Sequence, residues 1–338
     1  MIGYYVHHQG RGHLHRAQAL AAVLDEPVTG LSSVPRPSGW RGDWVELARD
    51  DEQQQPEDVT AGGQLHWAPT GDPGLRARSA AISAWLERTR PRAVVVDVSV
   101  EVALLVRLHG VPVVSVLMAG RRTDPAHLLG FRASSAVVAF SPFRGDELVP
   151  DLPHDVAERV VSVGAISRFA PVPDPGHVRS GLPHVVVLMG QGGDPMTSLD
   201  AEALRALAPG WRWTVVGGPG GWVEDVDRVL READVVATHA GESALADVAA
   251  HRRPAVVIPA ERPFDEQATT AALLHRGSWP AVVLPGFPET GWPGLLQQAS
   301  RLDGTAWHRW YDGRAAERFA EVVAAAARTA GRSRLRSA

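Results

Sequence analysis

Cysteine and lysine are both missing from this chain of 338 residues. Without cysteine the protein has no disulfide, no thiolate zinc site and no cysteine nucleophile. Without lysine it has no Walker-type phosphate lysine, no kinase lysine and no Schiff-base lysine, and all 34 basic residues are arginine. Composition alone therefore excludes several broad classes of enzyme.

Strong net charge and long apolar runs are missing as well. The formal net charge is −4, so no broad basic surface for nucleic acid is expected. No apolar run approaches the length of a transmembrane helix, and no basic signal-like region precedes the first apolar strand. We therefore expect a globular, cytoplasmic protein without a transmembrane segment. Its length is enough for two domains of ordinary size.

The chain opens with the pattern of a Rossmann-like domain. Residues 2–6 form an apolar run that predicts a strand, and a loop with two glycines leads into a helix predicted at 13–24. The alternation of helices and apolar strands continues to about residue 163. It includes a predicted helix at 75–89 and predicted strands at 44–47, 136–139 and 160–163. Residues 1–165 are therefore predicted to form an N-terminal Rossmann-like domain.

The same rhythm restarts after a proline-rich segment, 166–183, which we interpret as an inter-domain linker. Beyond it a second Rossmann-like domain is predicted at 184–305, with strands at 184–188, 213–216, 235–237, 255–258 and 281–284 and a helix at 196–207. We expect an α/β protein with two such domains facing each other across a cleft. A last, amphipathic helix is predicted at 306–328.

The most informative stretch is the strand–loop–helix unit that begins near residue 235. Its helix starts at Gly241 and presents backbone N–H groups and the positive end of a helix dipole, which is a typical place for a phosphate. The first turn also contains Glu242 and Ser243. We predict that the hydroxyl of Ser243 and the imidazole of His239 add donors to this phosphate site.

Acidic and amide side chains follow at positions that suit sugar hydroxyls. Asp247, further along the same helix, could accept hydrogen bonds from the two hydroxyls of a ribose. Glu266 and Gln267, one crossover later, could reach the hydroxyls of a second sugar. Phosphate, ribose and sugar sites in one unit predict that the ligand is a nucleotide sugar. The alternative is an ordinary β–α–β unit with polar helix ends.

These residues resemble the donor-binding motif of glycosyltransferases with the GT-B fold. The unit is similar to those of the lipid II-forming N-acetylglucosaminyltransferases and of the natural-product glycosyltransferases. Both families show His-x-Gly, an acid six residues after the glycine, and Asp-Gln some twenty residues later. This chain has His239 and Gly241, but Asp instead of Glu at 247 and Glu instead of Asp at 266.

The resemblance implies a metal-independent glycosyltransferase with no cofactor, whose nucleotide-sugar donor binds in the second domain and whose acceptor binds in the first. UDP is expected because the related families mostly use it, and dTDP stays open. The acceptor is expected to be a small or lipid-linked molecule with a hydroxyl group. The resemblance also implies that the last helix crosses back to the first domain.

His13 is the predicted catalytic residue. It stands in the first turn of the first helix, after the turn Gly10-Arg11-Gly12, where a neutral imidazole could take a proton from an acceptor hydroxyl. The segment GRGHLHRA also resembles the Gly-x-Gly-His start of GT-B transferases, in many of which this histidine is the base or binds the acceptor. Gly12 is included among the predicted donor-binding residues.

Other candidates follow strands of the first domain. Asp97, Arg121 and Arg122 come after predicted strands, and with His8 they form the predicted acceptor site, although they could contact the diphosphate instead. The alternative is that they make structural polar contacts at the starts of loops.

Two further segments of the second domain are predicted to bind the donor. The turn formed by Gly190, Gln191, Gly192 and Gly193 could cradle a diphosphate, or it could be only a tight turn. Trp222 and Val223 occupy the position that in GT-B families often stacks on and bonds the nucleobase. Alternatively, Trp222 belongs to the hydrophobic core.

Three alternatives to a transferase stay open. The segments GRGHLHRA and GQGGDP also resemble the nucleotide-sugar hydrolases of nonulosonic-acid pathways, which share this fold and transfer the sugar to water. A non-catalytic nucleotide-sugar-binding protein and an epimerase are the others. His7, His8, His13 and His15 invite a metal site, but neither a carboxylate nor a spacing such as His-Glu-x-x-His accompanies them, so no metal is predicted.

Overall fold

The computed structural model describes residues 1–10, 12–173, 181–189, 201–218 and 223–336. The chain divides into two compact units. The first unit consists of Met1–Met118, Arg122–Val163 and Ala315–Ala338, and the second of Ala119–Arg121 and Gly164–Arg314.

The first unit is built on a parallel sheet of seven strands. Its strands are β1 (Ile2–Tyr5), β2 (Val28–Ser32), β3 (Trp44–Glu46), β4 (Ala93–Val96), β5 (Val113–Leu117), β6 (Ala136–Ala139) and β7 (Val160–Ser162). Its helices are α1 (Gly12–Val23), α2 (Pro73–Thr89), α3 (Val100–Leu108), α4 (Pro125–Ala133), α5 (Gly145–Leu148), α6 (His154–Ala157) and α12 (Ala315–Arg336). The strand order is β3-β2-β1-β4-β5-β6-β7, the doubly wound order of a Rossmann fold.

The second unit is built on a parallel sheet of five strands. Its strands are β8 (His184–Leu188), β9 (Arg212–Val216), β10 (Val235–Thr238), β11 (Ala255–Val257) and β12 (Ala281–Val283). Its helices are α7 (Ala201–Leu207), α8 (Val226–Arg231), α9 (Glu242–Ala250), α10 (Glu266–Arg276) and α11 (Trp292–Ala299), with 3₁₀ helices at Pro263–Asp265 and Gly304–Arg309. The strand order is β12-β11-β10-β8-β9.

The central strands are continuous apolar runs because both faces of a parallel sheet are covered. All residues of β1, β4, β5, β8 and β10 are buried. Side-chain caps begin the helices between them. Asp72, Ser99 and Asp124 each accept a hydrogen bond from a backbone N–H in the first turn of α2, α3 and α4.

Both sheets have a topological switch point, where the strand order reverses and where ligands of open α/β sheets usually bind. In the first unit it lies between the neighbouring strands β1 and β4, and in the second between β8 and β10. The loops after β1, β4 and β10 therefore lead into the candidate sites. These loops contain His13, Asp97 and His239 at or near their ends.

The predicted helix at 306–328 is wrong in its limits. The chain forms the 3₁₀ helix Gly304–Arg309, breaks, and then forms α12 at Ala315–Arg336. Gly313 has a φ of +82° in the break, a conformation that a helix cannot contain. α12 packs on the first sheet and on α1, and its Phe319 meets the rings of Tyr4 and Phe140 at centroid distances of 6.3 and 4.9 Å.

The predicted linker, 166–183, is described up to residue 173 and from residue 181, and those parts belong to the second unit. Val172 donates its N–H to the carbonyl of Ala250 at the end of α9. Among the described residues, no helix combines the length and the apolar character needed to cross a membrane.

Candidate functional site

The start of α9 is the first candidate site, which we call the α9 site and define as residues 239–243. The chain leaves β10 through His239 and Ala240, and Gly241 is the N-cap residue with extended backbone angles. Because glycine has no side chain, no capping side chain covers the first turn of α9 from this position. Glu242 and Ser243 are half-buried in that turn. Sequence and structure agree on where this helix begins.

His239 is the most informative side chain of the α9 site. It is 4% exposed, and its Nδ1 lies 2.9 Å from the carbonyl oxygen of Ile258. A carbonyl only accepts, so Nδ1 carries the proton and Nε2 of the neutral ring is an acceptor. Nε2 is buried and has no hydrogen-bond partner within the described part of the chain. A buried nitrogen without a partner is costly unless a ligand satisfies it.

Asp247, the predicted ribose ligand, is buried on α9. Its Oδ1 accepts from the hydroxyl of Ser167 at 2.7 Å, and its Oδ2 accepts from Nε of Arg168 at 3.0 Å. The carboxylate holds the segment around residue 167 against α9, so it has a structural contact in addition to its predicted role.

Gln267 connects two loops of the second unit. Its side-chain oxygen accepts from the N–H of Ala260, at 2.9 Å, in the loop after β11. Its amide nitrogen lies beside the α9 site, 3.5 Å from where a Cβ on Gly241 would be. The residue is 6% exposed, so only the amide N–H groups on the Gly241 side are placed to meet a ligand. The neighbouring Glu266 is half-buried in the first turn of α10.

In the first unit, His13 and Asp97 meet at the switch point. Nδ1 of His13 lies 2.9 Å from Oδ1 of Asp97, which has no exposed surface. Arg16 donates from Nε to Oδ2 at 2.9 Å and from Nη2 to Oδ1 at 3.0 Å, and the hydroxyl of Tyr4 donates to Oδ2 at 3.0 Å. Asp97 is thus held by three side chains. Sequence reasoning missed Tyr4 and Arg16, although Arg16 stands one helical turn after His13.

The proton position on His13 follows from its neighbours. Nη2 of Arg16 is also only 2.8 Å from Nδ1, which would suit an imidazole that accepts there. That tautomer, however, would place the Nδ1 lone pair against a carboxylate oxygen. Nδ1 therefore carries the proton and donates a hydrogen bond to Asp97, and Nε2 is the nitrogen that can accept a hydrogen bond or a proton.

Burial by itself would raise the pKa of Asp97, but the charge of Arg16 and the hydrogen bonds from Arg16 and His13 outweigh it and hold that pKa well below its usual range. The carboxylate is therefore ionised at neutral pH. Asp97 has no exposed surface with which to make the contact with an acceptor that the sequence predicts. Its hydrogen bond with His13 suits a role in positioning that imidazole instead.

The backbone beside Asp97 is unusual. Val98 has a φ of +65°, which is a true outlier for a β-branched residue. The next residue, Ser99, is the N-cap of α3. The strained residue thus turns the chain sharply between a buried carboxylate and a helix start, as functional sites often require.

His8, a predicted acceptor-binding residue, forms a second histidine–aspartate pair. Its Nε2 lies 3.1 Å from Oδ2 of Asp51, and its buried Nδ1 has no hydrogen-bond partner among the described residues. The ring of His7 stacks on it with a centroid distance of 4.8 Å and lies 5.5 Å from the ring of His13. Burial, followed by the neighbouring His13 and His8, lowers the pKa of His7 to about 3.

Arg122, the next predicted acceptor-binding residue, is buried and lies in a separate network. Its Nη1 is 3.1 Å from Nε2 of His127, whose Nδ1 is 2.5 Å from Asp124; His66 also reaches Asp124, at 3.0 Å. Burial lowers the pKa of His127 to about 4. The ligand atoms of His66, Asp124 and His127 lie within 4.8 Å of one another, as in a metal site. However, the guanidinium group can only donate, and its charge would oppose a cation there.

Arg121 is exposed, and it does not share the network of Arg122. It contacts a loop of the second unit instead. Its Nη2 lies 2.7 Å from Oδ2 of Asp265, and its N–H donates to the carbonyl of Phe264 at 2.7 Å. Gly12 is the first residue of α1, and Val223 is half-buried before α8. The remaining predicted donor-binding residues lie outside the described residues: Gly190, Gln191, Gly192, Gly193 and Trp222.

Comparison with known proteins agrees with this geometry. Residues 221–278, which contain α8, β10, α9, β11 and α10, match the model of the glycosyltransferase family 28 C-terminal domain. This stretch includes the α9 site and the predicted residues Asp247, Glu266 and Gln267. No curated protein sequence matches the chain.

Solved structures share the fold over nearly the whole chain. MurG of Acinetobacter baumannii is 15% identical with a TM-score of 0.60, covering 95% of this chain and 98% of that one. The calicheamicin glycosyltransferase CalG4 is 17% identical with a TM-score of 0.59, covering 99% and 97%. The glycosyltransferase SsfS6 of Streptomyces sp. SF2575, complexed with thymidine diphosphate, is 15% identical with a TM-score of 0.56, covering 99% and 99%.

At these identities the solved structures establish the fold, and the family model assigns the stretch that carries the α9 site. The predicted resemblance and the predicted fold class are therefore confirmed. The chain is a glycosyltransferase with the GT-B fold, and its residues 221–278 match the glycosyltransferase family 28 C-terminal domain.

Proposed function

We propose that the protein transfers a sugar from a nucleotide-diphosphate donor, UDP-linked, to an acceptor hydroxyl, with His13 as the general base. The observation that carries the proposal is the α9 site. Its buried His239 has an Nε2 atom without a partner among the described residues, beside a helix start that has no capping side chain. The matched family stretch contains this same site.

The donor diphosphate would lie at the start of α9. Backbone N–H groups and the helix dipole favour negative charge there, and the hydroxyl of Ser243 adds a donor. The Nδ1 N–H of His239 already donates a hydrogen bond to the carbonyl of Ile258. To donate to a phosphate from Nε2 as well, His239 would carry a second proton, as an imidazolium. These groups supply the positive charge that the leaving diphosphate needs, so the proposal requires no bound metal.

The remaining donor contacts follow from the positions of two residues. Asp247, in the second turn of α9, would accept hydrogen bonds from the ribose hydroxyls. It would either keep its contacts with Ser167 and Arg168 or exchange them for the ligand. Gln267 would donate from its amide nitrogen, beside Gly241, to a hydroxyl of the transferred sugar. These two contacts separate nucleotide recognition from sugar recognition.

The transfer step is proposed for His13. Asp97 accepts a hydrogen bond from the Nδ1 N–H of His13, and this contact leaves Nε2 with a free lone pair that can accept a proton. Nε2 would remove the proton of the acceptor hydroxyl as its oxygen forms a bond to the anomeric carbon. The bond from that carbon to the diphosphate oxygen breaks, and its electron pair leaves with the nucleoside diphosphate.

The nucleotide is proposed to be UDP because the sequence motif resembles families that mostly use it. SsfS6, which shares the fold, was crystallised with thymidine diphosphate, so dTDP-linked donors belong in the same test. Both nucleotides present a diphosphate and a pyrimidine, and both suit the α9 site.

The decisive experiment is a thermal-shift panel of UDP, dTDP and their glucose and N-acetylglucosamine derivatives. A true donor stabilises the folded protein by mass action, by about 2.7 kcal/mol at a hundred times its Kd. Product analysis with the stabilising compound then follows, with and without hydroxyl acceptors. Sugar on the acceptor supports the proposal, free sugar without any acceptor supports the hydrolase, and binding without turnover supports a binding protein. No stabilisation by any member would overturn the proposed donor class.

A further inference from the structure

The short segment Ala119–Arg121 belongs to the second unit although the residues on both sides of it in sequence belong to the first. Arg121 donates its N–H to the carbonyl of Phe264 at 2.7 Å. Its guanidinium lies 2.7 Å from the carboxylate of Asp265. The segment therefore contacts the loop that leads directly into Glu266 and α10.

Gly120 makes the closest of these contacts. Its φ is +114°, which L side chains rarely adopt. A Cβ at this position would overlap the carbonyl oxygen of Phe264 and would lie 3.2 Å from both N and Cα of Glu266. Only glycine lets the segment lie flat against the backbone of Glu266.

The contacted loop has an unusual backbone. Phe264 and Asp265 are consecutive residues with φ values of +60° and +54°, although neither is glycine. Such angles persist only where the surroundings enforce them. The hydrogen bond from Arg121 to Phe264 and the approach of Gly120 are contacts that enforce this conformation.

We propose that Gly120 and Arg121 are positioning residues that fix Glu266 for recognition of the donor sugar. The inference rests on the proposed function, since it gives Glu266 a sugar to recognise. It assigns Arg121 to the donor side, whereas the sequence predicts a contact with the acceptor. Gly120 and Arg121 contact the loop Phe264–Glu266, so we expect them to affect recognition of the sugar more than recognition of the nucleotide.

The contacts differ in weight. The ion pair joins side chains that are 77% and 50% exposed, and exposed ion pairs contribute little. The backbone hydrogen bond and the glycine contact do not depend on solvent screening in this way. Gly120 is therefore expected to matter more than the side chain of Arg121.

The first test compares Gly120→Ala with Gly291→Ala. Gly291 has a φ of +84° and nothing within 4 Å of its Cβ position, so it controls for backbone strain without a steric contact. The Kd values of UDP and of UDP-N-acetylglucosamine are measured by calorimetry for both variants and the parent protein. We expect Gly120→Ala to weaken the binding of UDP-N-acetylglucosamine at least tenfold more than the binding of UDP. Gly291→Ala should change the two Kd values by the same factor or not at all.

The second test keeps the proposal falsifiable if Gly120→Ala does not fold. Asp265→Gly removes the left-handed strain and so maintains or raises thermal stability, but it frees the loop. We expect it to lower the affinity for UDP-N-acetylglucosamine at least threefold and to leave that for UDP within twofold. Arg121→Ala should have a smaller effect of the same kind, and Arg121→Ala with Asp265→Gly should add little to Asp265→Gly alone.

The outcomes separate this inference from the proposed function. If the parent protein binds neither nucleotide, the proposed function fails first; dTDP and dTDP-glucose replace the probes if they are the compounds that bind. If the parent binds both probes and a folded Gly120→Ala or Asp265→Gly variant keeps the parent ratio of the two Kd values, the positioning role is overturned.

Discussion

Nδ1 of His13 lies 2.9 Å from Oδ1 of Asp97, a carboxylate with no exposed surface. The two residues come from the first turn of α1 and from the loop after β4, and the pairing of β1 with β4 brings those loops together. The contact fixes the tautomer of the imidazole and leaves Nε2 as its acceptor nitrogen. It gives the first unit one histidine prepared to receive a proton.

His13→Ala is expected to reduce turnover by roughly 10²–10⁴-fold, the usual contribution of a general base. The Kd of the donor should change little, because the proposed donor contacts lie in the other unit. Steady-state rates, with donor affinity by calorimetry, check both points. Near-native turnover of His13→Ala would leave the first unit without its assigned base.

Asp97→Asn tests the positioning of that base. The variant loses the charge that holds the Nδ1 proton, and it leaves the buried Arg16 without its carboxylate. We expect a large loss of turnover together with a loss of stability on the order of 3–5 kcal/mol, as when one partner of a buried ion pair is removed. Denaturant unfolding measures the second effect. A stable Asp97→Asn variant with native turnover would contradict the assignment.

The sequence predicts the local parts of this site and not the long-range ones. The spacing of His239 and Gly241 predicts the α9 site because both lie in one turn of chain. Ser167 and Arg168, which hold Asp247, carry no local signal, since a contact across 80 residues depends on the fold. The burial of Asp97 is invisible for the same reason.

The fold shows the same division. Parallel strands such as β4 and β10 are predictable because continuous apolar runs announce them. The strand β2 was not predicted, since its sequence VTGLS breaks the run with threonine and glycine. In the structure, a Cβ on Gly30 would overlap the ring of Trp44 on the neighbouring strand β3, so a tertiary contact and not a local preference requires the glycine.

Asp247→Ala should weaken UDP binding by roughly 1–3 kcal/mol, the cost of losing a charged hydrogen-bond partner. It should also lower the melting temperature, because Ser167 and Arg168 lose their acceptor. Ser167→Ala combined with Arg168→Ala is the matched control, since it removes the structural contacts and keeps the carboxylate. If the control weakens UDP as much as Asp247→Ala does, the carboxylate acts only through the segment that it holds.

His7 should make stability depend on pH. Its pKa is lowered from 6.5 to about 3, chiefly by burial, so below pH 6.5 the unfolded chain binds a proton that the folded chain does not. This stability is fully present above pH 6.5 and is lost as the pH falls toward 3. His7→Gln should reduce the slope of the unfolding free energy against pH in that window by up to about 1.4 kcal/mol per pH unit.

The matched control for His7 is His154→Gln, whose side chain is 87% exposed and pairs only weakly across a helical turn. Urea unfolding at pH 7, 6 and 5 gives the slopes. Equal slopes for the parent protein and for His7→Gln would show that His7 is protonated in the folded state.

Gln267→Glu should separate sugar recognition from nucleotide recognition. The substituted carboxylate keeps an oxygen to accept from the N–H of Ala260, so the loop after β11 stays anchored. It replaces the amide N–H groups beside Gly241 with an acceptor, which cannot donate to a sugar hydroxyl and adds negative charge near the diphosphate. UDP-sugar should therefore bind at least tenfold more weakly, and UDP should be weakened much less.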